Sequence, residues 1–184
     1  MTTHKLIGLS GSLRAASYNS KLLADAARHY GNADYAEGDL RLPLYDGDLE
    51  AADGIPPEVR KLAEQITAAD AVLIATPEYN KGISGVLKNA LDWISRAGTG
   101  AGNSPLKEKP VAILSASSGR AGGERAQMML RWCLMPFQTR LLQGPEVLVA
   151  QTHTQFDDDH RLTGDINLKT LQGLMTALKA EVER

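Results

Sequence analysis

The 184-residue chain contains a single cysteine, Cys133, so it can form neither an internal disulfide nor a four-cysteine zinc site. That usage suits a reducing compartment, and a cytoplasmic location is expected. No apolar run approaches the ~20 residues of a membrane helix. The N-terminal apolar stretch ends at Arg14, too early for a signal-peptide core, so no membrane partner is expected. Charge of one sign is also missing. Lys plus Arg is 20 and Asp plus Glu is 22, a net of −2, which gives no general drive toward nucleic acid. His4, His29, His153 and His160 lack metal-ligand spacing. Ser10, Ser115 and His153 make no triad, since there is no Gly-x-Ser-x-Gly elbow. The Asp157-Asp158-Asp159-His160 run reads as a solvated turn between Phe156 and Leu162.

What is present is an ordinary globular mix, 43% hydrophobic and 23% charged, at a length that favours one domain over 1–184. Apolar runs alternate with amphipathic segments. Strands are expected at 6–10, 35–40, 71–75, 111–114 and 147–150. Helices are expected at 19–30, from Pro56 or Pro57 onward, and at 84–96, 122–134 and 163–183. Between them, 41–57 reads as a long surface loop and 98–104 as a mobile Gly-rich one. Strand–helix alternation of this kind implies a parallel sheet covered on both faces. The expected fold is α/β, a flavodoxin-like doubly wound five-stranded parallel sheet of order 2-1-3-4-5. Ligands on such sheets bind beyond the carboxyl ends of the strands, where strand order reverses. The loops after strands one, three and four are therefore the places to look.

The first loop runs Gly11-Ser12-Leu13-Arg14-Ala15-Ala16-Ser17-Tyr18-Asn19. Small residues, hydroxyls and one guanidinium before a helix N-terminus suit a terminal phosphate. The loop is neither Gly-x4-Gly-Lys-[Ser/Thr] nor Gly-x-Gly-x2-Gly. Taken alone, it reads equally as a βα turn whose Ser and Asn cap the helix. The second loop, Thr76-Pro77-Glu78-Tyr79-Asn80-Lys81-Gly82-Ile83-Ser84-Gly85, could lie along a planar heteroaromatic ring, its two glycines permitting tight backbone. A rigid turn with Tyr79 on the surface is the plainer reading. The third, Ser115-Ala116-Ser117-Ser118-Gly119-Arg120-Ala121-Gly122-Gly123, would aim a helix N-terminus at the same crevice, or be a flexible turn. Three matched loops on one sheet edge are more specific than any one of them.

These residues carry a resemblance. Gly11-Ser12-Leu13-Arg14 with Ser17 and Asn19, then Thr76-Pro77-Glu78-Tyr79-Asn80, then Gly85-x-Leu87-Lys88-Asn89-Ala90-Leu91-Asp92-Trp93, with Ser117-x-Gly119 and Gly122-Gly123 following, resemble the NADPH-dependent FMN reductase family, which includes quinone and chromate reductases. The resemblance spans nearly the whole chain and implies FMN. The phosphate would sit on Ser12, Arg14, Ser17 and Asn19, with Leu13 and Tyr18 in the same loop. The ring would lie against Pro77, Glu78, Tyr79, Asn80 and Lys81, with Ser117 and Gly119 on its other side. NADPH or NADH would deliver hydride to the flavin, which would then reduce quinones, metal oxyanions, azo compounds or free flavin. Backbone donors at 78–80 would fix the ring edge, and the helix beginning near Gly122 would favour negative charge on it. No side chain is required as acid or base. A homodimer or homotetramer is implied. Arg125 and Glu146 match subunit-contact positions, while Met128 stands where a contact Tyr is found. Lys81 and Arg120 stand where relatives often carry uncharged residues; they would favour NADPH, or are two solvated surface charges. The rival reading is a flavodoxin-like FMN electron carrier, although the usual strong acidity and Thr-rich phosphate loop of such carriers are missing. Cys133, mid-helix among large apolar groups, reads as a core thiol, and Asp92-Trp93 as helix packing.

Overall fold

A computed structural model describes residues 3–98 and 103–184. Most of the expected Gly-rich 98–104 segment lies outside the described residues. The strands are β1 (His4–Ser10), β2 (Ala33–Gly38), β3 (Ala71–Ala75), β4 (Pro110–Ala116), β5 (Arg140–Leu141) and β6 (Val147–Val149). The helices are α1 (Tyr18–Tyr30), α2 (Gly47–Asp53), α3 (Pro57–Ala68), α4 (Gly85–Arg96), α5 (Glu124–Leu134) and α6 (Asp165–Val182). All strand pairs are parallel, in the order β2-β1-β3-β4-β5, with β6 also paired to β4. The expected order is therefore correct.

Strand alternation assigns the two cores. Ile7 and Leu9, Val72 and Ile74, and Val111 and Ile113 point to the α3–α4–α5 side. Leu6, Leu73, Ala112 and Leu114 point to the α1–α6 side. Every residue of β3 and β4 is buried, because a parallel strand covered on both faces has no wet side. Among the described residues, no helix is long and apolar enough to cross a membrane.

Three expectations need correction. The 41–57 segment is not all loop: it carries α2, capped by the Asp46 carboxylate on the Asp48 N–H and closed by Gly54. None of its residues is buried, so it has no apolar stripe for periodicity to reveal. The segment is also latched to α4. The Trp93 indole N–H and the Asn89 amide both donate to Pro43 O, at 2.8 and 2.9 Å, and Asn89 Oδ1 accepts the Tyr45 N–H at 2.8 Å. Arg96 binds Glu50 at 3.0 Å. The Lys-Asn-Ala-x-Asp-Trp helix thus holds a structural strap, as the packing reading of Trp93 expects. Second, the fifth strand position is split. β5 pairs with Pro110–Val111 and β6 with Leu114–Ala116, and Pro145, which has no N–H for a ladder, lies between them. Third, α5 starts at Glu124, not Gly122. Gly122 and Gly123 have φ of 61° and 93°, outside the helical region.

Candidate functional site

The β1–α1 loop opens at the carboxyl edge of the sheet. Gly11 N–H donates to Ala75 O at 2.8 Å. A Cβ at Gly11 would stand 2.9 Å from Ser84 Oγ and 3.2 Å from Pro77 Cδ, so glycine lets this loop close on the one after β3. Ser17, buried, caps α1 by accepting the Ser20 N–H at 3.3 Å, which leaves its hydroxyl proton free to donate. The N–H groups of Tyr18 and Asn19 open the helix without intrahelical acceptors, at its positive end. Among the described residues, the Arg14 guanidinium has no ion-pair or hydrogen-bond partner. A free cation beside free amides is an anion-binding arrangement. Asn19 differs from expectation. Its side chain is buried, donating to Ala116 O and accepting the Ala116 N–H, both at 3.0 Å. It fastens α1 to the end of β4 and offers a ligand only its backbone N–H.

After β3, Tyr79 and Gly82 form a two-residue hairpin, with N–H···O bonds of 3.0 Å in both directions. Asn80 and Lys81 occupy its corner at φ 51° and 67°. The tight backbone therefore comes from these two residues and not from Gly82 and Gly85. Asn tolerates that region, whereas Lys carries the Cβ penalty. The Tyr79 N–H is spent within the hairpin, which leaves those of Glu78 and Asn80 as this loop's donors. A Cβ at Gly82 would stand 2.9 Å from Met129 Sδ, so the hairpin rests on α5.

Glu78 joins the second loop to the third. Its Oε2 accepts the backbone N–H of Arg125 at 3.1 Å, and its Oε1 lies 3.2 Å from Arg125 Nη1. The N-cap residue of α5, Gly123, has no side chain to cap with, and Glu78 supplies the missing carboxylate from another loop. The helix end expected to aim its positive dipole at the crevice is thus met by Glu78, itself a residue of that crevice. A buried polar cluster holds the third loop from below. Ser115 Oγ donates to Gly122 O at 2.6 Å, and Gln127 Nε2 donates to Ser115 Oγ and Val147 O at 2.9 and 2.8 Å.

The three loops enclose a cleft of about 240 Å³. Of the expected site residues, Ser12, Arg14, Ser17, Tyr18, Asn19, Pro77, Glu78, Tyr79, Ser117 and Gly119 line it. Leu13, Asn80 and Lys81 do not. Leu13 faces a second cavity on the other flank of its loop, and the hairpin corner carries Asn80 and Lys81 into solvent. Sequence reasoning missed Ser118 and Thr152, which also line the cleft. Thr152 follows β6 at the same sheet edge, and the strand-end rule extended to the last strand would have found it.

Other candidates fall outside this cleft. Cys133 is half-buried on α5 and lines a larger cavity of about 470 Å³ between α4 and α5. Burial pushes its thiol above the usual range, which disfavours thiolate. Among the described residues, no group of His, Cys, Asp and Glu could hold a metal. The 157–160 run is a turn, Asp157 Oδ1 accepting the Arg161 N–H at 2.7 Å, between bridged Phe156 and Leu162. Phe156 in turn stacks on Tyr18 at 5.5 Å. Within the chain Arg125 and Glu146 do not meet, since Glu146 lies 3.5 Å from Arg131.

Residues 4–154 match the sequence profile of the NADPH-dependent FMN reductase family. The chain is 43% identical over 182 residues to an NAD(P)H-dependent FMN reductase of Pseudomonas aeruginosa, covering 98% of this chain and 96% of that one. It is 35% identical over 187 residues to a quinone reductase of Escherichia coli K12, again covering 98% and 96%. The solved structure of FerB, an NAD(P)H:acceptor flavoenzyme of Paracoccus denitrificans, superposes with a TM-score of 0.86 at 32% identity, covering 98% of each chain. The chain belongs to the NADPH-dependent FMN reductase family, and is an oxidoreductase that works with FMN and NAD(P)H.

Proposed function

We propose that the protein passes electrons from NAD(P)H through FMN, held in the cleft between the three loops, to quinones or acceptors of similar chemistry. Metal oxyanions, azo compounds and free flavin are the related acceptors to compare. The observation that carries the reading is the unpartnered Arg14 guanidinium beside the Ser17 hydroxyl and the open N–H groups of α1. This donor set suits a dianionic phosphate, and the cleft runs from it to the Pro77–Tyr79 wall. The donor set fits the terminal phosphate of FMN, and Pro77 and Tyr79 in the cleft wall would meet its ring.

FMN, when bound, accepts hydride and releases electrons singly or in pairs. The chain's own residues bind and orient. Ser12, Arg14 and Ser17 would hold the phosphate. The N–H group of Glu78 would meet the ring edge, and Ser117 and Gly119 would bound its other side. Glu78 has both oxygens engaged by Arg125 and fixes the ring loop to α5.

The same reading takes the chain as a single domain over 1–184, working in the cytoplasm as a homodimer or homotetramer. Support for assembly comes from one face of α5 and the turn after it, where Met128, Met129, Trp132 and Met135 are 49%, 37%, 70% and 72% exposed. Apolar side chains this large on one helix face mark an interaction surface. It begins where Met129 meets the hairpin, so assembly would wall the cleft.

Denaturing release followed by chromatography identifies the flavin, with FMN at one per chain expected and stoichiometric FAD excluding the reading. An acceptor panel with NADH and NADPH then ranks quinones against the alternatives.

A further inference from the structure

The β1–α1 loop has a cavity on each flank. The second, of about 370 Å³, lies between that loop and the carboxyl end of β2, and shares Ser12 and Arg14 with the FMN cleft. We propose that this second cavity receives the adenosine ribose of NAD(P)H, with Glu37 accepting a hydrogen bond from a ribose hydroxyl. The inference rests on the NAD(P)H reading above.

Topology puts Glu37 in place. It pairs with Gly8 near the end of β2, so its carboxylate stands beside the loop that follows β1. An acid at the second strand's end takes the ribose in dinucleotide folds whose first turn is Gly-x-Gly-x-x-Gly; here that turn differs, and only the placement of the carboxylate is shared. Local bonding leaves it ready to do so. Oε1 accepts the Ser20 hydroxyl at 2.8 Å, and Ser20 Oγ lies 2.9 Å from Ser10 Oγ, next to Ser12. The carboxylate is thus oriented through one oxygen. Among the described residues Oε2 has no donor, and no cation pairs with Glu37. A fixed carboxylate with one free oxygen is a hydroxyl acceptor.

The walls suit the rest of a nucleoside. Arg41 donates to Leu13 O at 3.3 Å and pairs with Asp39 at 3.2 Å, closing the cavity on its outer side. Leu40 is buried in its floor, and Leu13 is 39% exposed at its rim, an apolar surface for a base. Arg14 lines both cavities, and would stand between the FMN phosphate and the phosphates of the nucleotide.

The test uses FMN-loaded protein, wild type and Glu37→Gln, which keeps an acceptor for Ser20 and removes the charge. Calorimetric titration with ADP-ribose reads the cavity without turnover. Kinetics with NADH and with reduced nicotinamide mononucleotide, which lacks the adenosine, read its use. The expected result is an ADP-ribose Kd about tenfold higher in Glu37→Gln, with kcat/KM for NADH falling about tenfold relative to that for the mononucleotide. A wild type that does not bind ADP-ribose, a variant that binds it equally well, or equal losses for both reductants would overturn the proposal. A wild type that binds ADP-ribose but oxidises neither reductant would overturn the reductase reading and leave the cavity assignment standing.

Discussion

Glu78 holds Arg125 by two different groups, the backbone N–H with Oε2 at 3.1 Å and the guanidinium with Oε1 at 3.2 Å. A substitution at Arg125 can remove only the second of these. That group is 57% exposed, and exposed ion pairs contribute about 0–1 kcal/mol. Glu78→Ala removes both and leaves α5 without a cap, at a typical cost of about 0.5–2 kcal/mol. Urea unfolding should therefore show Glu78→Ala as the more destabilising change and Arg125→Ala as nearly neutral. Equal losses would show that the ion pair, not the cap, carries the contact.

Lys81 sits at φ 67° with no compensating contact among the described residues. Lys81→Gly removes a Cβ that costs roughly 1–2 kcal/mol in this region, offset by the greater freedom of glycine when unfolded. The net expectation is a gain of about 0.5–1 kcal/mol, read as a higher thermal midpoint, while Lys81→Val lowers it.

Asn19 is a structural residue placed at a binding loop. Asn19→Leu leaves the buried Ala116 N–H and C=O without partners, and each unsatisfied group costs about 1–3 kcal/mol. Its stability should fall before any effect on FMN is read. Arg14→Ala should do the reverse. Having no side-chain partner among the described residues, Arg14 should contribute little to folding, but loss of its charged hydrogen bonds should weaken FMN binding by about 1.5–3 kcal/mol. Fluorescence titration of FMN, paired with thermal melts, separates the two behaviours.

Burial holds the Cys133 thiol above its usual range. A raised acid keeps its proton to higher pH, so the thiolate fraction at neutral pH is smaller than that of a free cysteine at about 8.5. Modification by a disulfide reagent should be slow at pH 7, and should accelerate at a higher pH than for a model thiol. Rapid modification at pH 7 would place Cys133 in a different environment.

The sheet order and most of the cleft are legible in the sequence because buried parallel strands read as unbroken apolar runs, Ala71–Ala75 most plainly, and because ligand loops follow their carboxyl ends. α2 is not legible because it buries nothing. β5 is too short to show a pattern. The hairpin corner is hidden because Asn80-Lys81 lacks the glycine that usually signals such a turn. Asn19 and Glu78 are found in the right place but with different work, because a side chain's partner across the sheet is a tertiary fact that no local pattern contains. Glu37 and Arg41 escape notice because β2 is an edge strand with a half-exposed, weakly apolar sequence.

The central claim is that FMN in the three-loop cleft carries electrons from NAD(P)H. Apo-protein titrated with FMN, with NADPH oxidation by p-benzoquinone followed at each addition, tests it most directly. The rate should rise in proportion to bound FMN and saturate at one FMN per chain, and Arg14→Ala should need more FMN to reach saturation. Stoichiometric FMN binding with no NADPH or NADH oxidation at any loading would contradict the account and leave an electron carrier in its place.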